Sequence, residues 1–102
     1  MFGLMVRFTC KDETSAEAFD RLVAGTIEQI RHHEPGTIVY ASHRVDGQPL
    51  QRIFYELYAD RAAFDAHEQT EHTRRFLAAR DDLLASVEVD WLHLQTGKGT
   101  TP

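Results

Sequence analysis

The sequence predicts a single α+β domain, a ferredoxin-like βαββαβ sandwich with one four-stranded antiparallel sheet and its helices on one face. Three observations carry that prediction. Apolar and polar residues alternate in four separate segments, as strands with one buried face require. The stretches between the outer strands and the central pair repeat their apolar residues at helical spacing. A short Asp46-Gly47-Gln48-Pro49 turn joins the middle two strands into an antiparallel hairpin.

The first strand spans Phe2 to Cys10, where Phe2, Leu4, Val6 and Phe8 alternate with Gly3, Met5, Arg7 and Thr9. Lys11, Asp12 and Glu13 break it, and Thr14-Ser15-Ala16-Glu17 fits a capping box opening the first helix. Phe19, Leu22, Val23, Thr26, Ile27 and Ile30 form one stripe, which ends at Glu34-Pro35-Gly36. Thr37 to Val45 and Leu50 to Ala59 are the hairpin strands. Asp60 is placed to N-cap a short helix through His67, and Thr70 a second from Glu71 to Leu84. Ser86 to Leu94 alternates Val87, Val89 and Trp91 against Glu88, Asp90 and Leu92, giving the fourth strand. Residues 1–95 are thus expected to form the domain, and residues 96–102, rich in Gly and Thr, a flexible tail.

With helices on one face, the other face of the sheet carries Phe54 or Tyr55, and either Val89 with Trp91 or Leu92 with Leu94. A sheet face that apolar should not be left in water. A homodimer with two sheets packed face to face is expected, burying about 1,600 Å² or more.

At 102 residues, 42% hydrophobic and 26% charged, the chain has room for one core and little for a second functional module. A net charge of −5 and a pI near 5.6 argue against nucleic acid or an anionic membrane as the main partner. The single Cys10 allows neither an internal disulfide nor a multi-cysteine zinc site, and reads as a small buried apolar side chain. The apolar start is interrupted by Arg7 and is shorter than the about 20 residues of a membrane span. The cytoplasm is the expected location.

Three residues stand out as proton-transfer candidates. Glu56 is the only carboxylate within Ile53-Phe54-Tyr55-Glu56-Leu57-Tyr58, a run bulky on both parities. A carboxylate enclosed there needs a partner or a raised pKa, although a structural ion pair or a rim position would serve equally. His67 follows Ala63 and Phe64 at helical spacing and so lies on an inward stripe. Its imidazole suits general acid–base work, or a helix-end hydrogen bond to a carbonyl. His72, just after the Thr70 cap, is either an exposed capping residue or a neutral imidazole near a helix N-terminus. His67 and His72 are five apart, off the spacing that puts two metal ligands on one helical face, and no metal site is expected. His32 and His33 sit where they can meet the first helix's last carbonyls, and His43 faces Arg52 if the hairpin loop is Gly47-Gln48. Tyr40, Phe54, Tyr58 and Trp91 could line a flat pocket or simply fill the core. No phosphate loop, nucleophile elbow or dinucleotide fingerprint is present in the sequence.

Tyr55-Glu56-Leu57-Tyr58, Ala62-Ala63-Phe64-Asp65-Ala66-His67 and Thr70-Glu71-His72, with Glu34-Pro35-Gly36 followed by Tyr40, together resemble the antibiotic biosynthesis monooxygenase (ABM) family. The likeness runs from about Leu4 to Leu94. It implies a dimeric α+β barrel with a pocket between helices and sheet in each protomer. Members include cofactor-free oxygenases of quinols and polycyclic aromatics, haem-degrading enzymes and an isomerase of a phosphorylated sugar. The haem branch uses a first-strand asparagine and a histidine on the long second-half helix. Here the first strand offers Val6 and Arg7, and Thr73 to Leu84 contains no histidine.

The resemblance therefore points to cofactor-independent oxidation of a quinol or hydroxylated aromatic. In that scheme His67 takes the phenolic proton and Glu56 orients it, directly or through water. His72 is a second proton group at the pocket mouth, and Tyr40, Phe54, Tyr58 and Trp91 enclose the ring. Neither metal, flavin nor haem is expected. Two alternatives stand beside it: an isomerase of a small (phospho)sugar-like carbonyl compound, and a dimer that binds a small ligand without turning it over.

Overall fold

Seven elements follow one another in the computed structural model, which describes residues 1–99: β1 (Phe2–Cys10), α1 (Glu13–His33), β2 (Thr37–Val45), β3 (Gln48–Tyr58), α2 (Arg61–Gln69), α3 (Glu71–Arg80) and β4 (Leu84–His93). The strands form one antiparallel sheet in the order β2-β3-β1-β4. This is the ferredoxin-like α+β arrangement that the alternation predicts, with the second helical region split in two at Thr70. Of the expected tail, residues 100–102 lie outside the described residues.

The local signals hold with instructive shifts. Asp12, not Thr14, caps α1: its carboxylate accepts the Ser15 amide N–H at 2.7 Å. Either position offers a capping oxygen, but the carboxylate also complements the helix dipole. Asp60 and Thr70 cap α2 and α3 as their spacing predicts. α3 stops at Arg80, four residues short of Leu84, and residues 81–83 form a turn in which the Leu83 N–H donates to the Arg80 carbonyl at 2.9 Å. Leu84 then pairs with Cys10 at a bulge and starts β4 two residues early. The hairpin closes on Asp46-Gly47, with Val45 opposite Gln48 and Gly47 at a φ of 73° that favours glycine. In this register Arg44, not His43, faces Arg52, and the His43 ring meets the Ile53 carbonyl.

The register also assigns the two faces. Cross-strand partners share a face, so Tyr40, Glu56, Leu4 and Trp91 form one row across all four strands. Phe54, Val6 and Val89 share a neighbouring row, and Arg52, Phe8 and Val87 the next. These rows face the helices, where Phe8, Phe19, Phe54 and Phe76 make the centre of the core, with Phe8 and Phe54 ring centroids 4.6 Å apart. Cys10 is buried at the end of this face, as expected for a small apolar group. Arg52 is buried too, and forks onto Asp20 of α1 through two bonds of 2.8 and 2.9 Å. Tyr55 and Leu92, with Met5 and Ile53, occupy the opposite face. Trp91 therefore does not belong to the face expected to meet a second protomer. It stands on the helix side, 54% exposed, because the helices stop short of edge strand β4.

Candidate functional site

The gap between β4 and the helices forms the site. A cavity of about 190 Å³ is walled by the sheet rows of Leu4, Val6 and Phe8, by Tyr40 and Glu56, by Phe64 and His67 of α2, and by Phe76, Leu77 and Arg80 of α3. Val87, Val89 and Trp91 form its outer wall. The sequence-predicted residues divide. Glu56, His67, Tyr40 and Trp91 line the cavity, whereas Phe54 and Tyr58 are fully buried behind its wall.

His67 is fixed by a residue that the sequence reading treats only as part of a turn. Glu34 follows the last turn of α1 and donates its N–H to the Ile30 carbonyl at 3.0 Å. Pro35 and Gly36 turn the chain back, and the Ala59 N–H donates to the Gly36 carbonyl at 2.9 Å. Gly36 rests directly on α2: a Cβ there would stand 2.7 Å from the Ala63 Cβ, closer than packed carbons allow. The turn thus delivers the Glu34 carboxylate, which is 95% shielded, to His67, whose Nδ1–H donates to Oε1 at 2.7 Å. Thr37 Oγ1–H donates to the same oxygen at 2.7 Å, and His72 Nε2–H donates to Oε2.

A carboxylate can only accept, so the shared proton lies on His67 Nδ1. Nε2 is left without a bonding partner among the described residues, on a side chain that borders the cavity. The ring is packed between Tyr40 and Tyr58, with centroids 5.4 and 5.3 Å away. Glu56 and His67 make no direct hydrogen bond: the Tyr58 hydroxyl donates to Glu56 Oε1 at 2.6 Å, and Glu34 is the carboxylate bonded to His67. His72 is not at the cavity mouth. It lies on the far side of Glu34, in a separate groove with Arg21, Thr26, Gln29 and Arg75.

The two carboxylates are driven in opposite directions. Burial pushes Glu34 up, but the bonds from His67, Thr37 and His72 outweigh it and bring the group down to about 2. For Glu56 burial wins and raises it to about 7, against the lowering effects of the Tyr58 bond and of the neighbouring His67 and Arg80. Burial and the Glu56 charge hold the Tyr58 hydroxyl protonated far above the ordinary tyrosine range, and burial does the same for Tyr40. Folding stability from Glu56 is then fully present below its ordinary value of 4.5 and is lost as pH rises through about 7. Glu56→Gln is expected to remove roughly 3 kcal/mol of that decline. Urea midpoints measured from pH 5 to 8 should fall for the native protein and stay flat for the variant.

Among the described residues, no group of three His, Cys, Asp or Glu side chains is arranged to hold a metal ion, and no helix is long and apolar enough to cross a membrane. What the site offers is an oriented imidazole, a carboxyl that burial raises to about 7, and an aromatic wall open at one edge.

The fold and this cavity define a small ferredoxin-like protein with a pocket between helices and sheet that His67 and Glu56 border. The sequence model of the antibiotic biosynthesis monooxygenase family matches residues 1–79, and the chain belongs to that family. The uncharacterized protein sll1783 of Synechocystis is 36% identical over 69 residues, 68% of this chain, which spans 46% of that relative's length. The crystal structure of PA3566 from Pseudomonas aeruginosa superposes with a TM-score of 0.82 at 27% identity, covering 93% of this chain and 94% of that one. Rv0793 from Mycobacterium tuberculosis, at 22% identity, shares the fold with a TM-score of 0.86 over 96% and 98% of the two chains.

Proposed function

We propose that the protein is a cofactor-independent monooxygenase of a quinol or hydroxylated aromatic. The observation that carries this reading is His67: its Nδ1–H is anchored on the buried Glu34, its Nε2 has no bonding partner among the described residues, and its side chain borders an aromatic-lined cavity. His67 Nε2 takes the phenolic proton, and Glu34 stabilises the resulting imidazolium. The electron-rich phenolate passes one electron to dioxygen, and the two radicals combine at a ring carbon. Cleavage of the O–O bond and loss of water leave a new carbonyl. For a dihydroxynaphthalene the balance is one dioxygen consumed, one hydroxynaphthoquinone formed and one water released. Tyr40, Phe64 and Trp91 offer the ring an apolar enclosure, and a cavity of about 150 Å³ already admits benzene.

The experiment is dioxygen uptake with a dihydroxynaphthalene in metal- and flavin-free buffer, using ¹⁸O₂. One labelled oxygen in the quinone, without accumulation of hydrogen peroxide, is the expected result. Uptake no faster than in protein-free buffer, or yielding peroxide alone, would overturn the proposal. Glu56, held near 7 on the same wall, favours a second reading as an isomerase that moves a proton beside a carbonyl. That reading predicts solvent deuterium entering the substrate without dioxygen uptake.

The active form proposed is a cytoplasmic homodimer. The sheet face bearing Met5, Ile53, Tyr55 and Leu92 supports this, with Met5 37% and Leu92 36% exposed despite their apolar character. Equilibrium sedimentation at micromolar concentration should give twice the 11.7 kDa chain mass; a stable monomer would refute the pairing.

A further inference from the structure

Arg80 has no role in the chemistry above, yet it sits on the cavity wall at the last turn of α3. Most other arginines of the described chain bond a side chain: Arg7 to Gln51, Arg52 to Asp20, Arg61 to Asp65 and Arg75 to Glu71 among them. Arg21 does not, but it is exposed to water. Arg80 is half-buried, and its guanidinium makes no hydrogen bond or ion pair among the described residues. Its Nε is the single buried side-chain polar atom there without a partner. The guanidinium carbon lies 5.5 Å from the Phe8 ring centroid and 5.8 Å from that of Phe76. Aromatic faces hold a cation in place, but they do not supply the hydrogen-bond acceptors that its N–H groups need. Glu56 and Glu68 border the same cavity, but neither comes within ion-pair distance of Arg80.

An unmatched, aromatically braced guanidinium on the wall of an apolar cavity is suited to a planar anion. We infer that the cavity takes an aromatic carrying a carboxylate, with the ring against Phe64 and Trp91 and the carboxylate on Arg80. This rests on the cavity being the substrate site. It narrows the proposed substrate from hydroxylated aromatics in general to hydroxyaromatic acids, and makes Arg80 a specificity-determining residue.

The test uses ligands that cannot be oxidised, so that binding is read apart from turnover. Naphthalene-2-carboxylate and its neutral isostere naphthalene-2-carboxamide are titrated calorimetrically into the intact protein and into Arg80→Met and Arg80→Lys. The carboxylate should bind the native protein at least about 10-fold tighter than the carboxamide. Arg80→Met should weaken the carboxylate about 10- to 100-fold while leaving the carboxamide within about twofold, and Arg80→Lys should fall between. Equal binding of the two ligands by the native protein would overturn the inference, even if Arg80→Met proved too unstable to use. So would an equal loss of both ligands in a folded Arg80→Met, which would mark Arg80 as a packing residue. Failure of the oxygenase reading would show separately, as absent dioxygen uptake with the binding preference intact.

Discussion

His67→Ala is expected to slow dioxygen consumption with a dihydroxynaphthalene by about 10²- to 10⁴-fold, the usual cost of losing a general base. Nδ1 is committed to Glu34, which holds the ring, and Nε2 is the nitrogen left without a partner among the described residues on a side chain that borders the cavity. The variant keeps Thr37 and His72 on the same carboxylate, so the fold should survive. Circular dichroism and sedimentation of the variant, alongside oxygen-electrode rates, separate the two effects. A folded His67→Ala protein with near-native rates would remove the histidine from the mechanism. His72→Asn provides the contrast: it touches the other Glu34 oxygen from a different groove, and its rate should change far less.

Glu34→Ala should be the most destabilising change at the site, by about 3–5 kcal/mol, because it strips a buried hub and leaves its donors facing nothing. Three side chains from three different elements bond to this one carboxylate. Its pH signature runs opposite to that of Glu56. With the folded group near 2 against an ordinary 4.5, its contribution is fully present above 4.5 and is lost as pH falls toward 2, roughly 3 kcal/mol in all. Glu34→Gln keeps the shape and an acceptor for His67 but not the charge. Its unfolding free energy should therefore lack most of the acid-side decline seen in the native protein. Urea titrations between pH 2.5 and 6 measure this directly; parallel curves for both proteins would show that Glu34 is not the hub.

Most of the architecture is legible because it is local. Alternation places Phe2 to Cys10 and Thr37 to Val45 without error, and Asp60 and Thr70 announce their helices. His67 is legible as inward-facing, since its stripe includes Phe64. Its partner is not. Glu34 lies 33 residues away, beside a proline and a glycine that account for a turn without any reference to a carboxylate. The available signal is indirect: a histidine on an apolar stripe must bond something, and a Glu immediately before Pro-Gly is held at a helix end where its side chain can reach back. Glu56 draws attention by its apolar neighbours, yet its bond goes two residues along its own strand to Tyr58. The face assignment of Trp91 needed the β1–β4 register, which no local pattern contains. Arg80 escapes for a related reason, as a charged residue at a helix end ordinarily points to solvent.

Trp91 is the only tryptophan of the chain, and it stands in the outer wall of the cavity with its ring edge-on to Phe64, centroids 5.6 Å apart. The indole is 54% exposed, so water dominates the surroundings of its excited state when the cavity is empty. A ring seated against it would replace that water with a less polar, quenching neighbour. If the proposed substrate fills this cavity, Trp91 emission should change as it does so, without labelling and in real time during mixing.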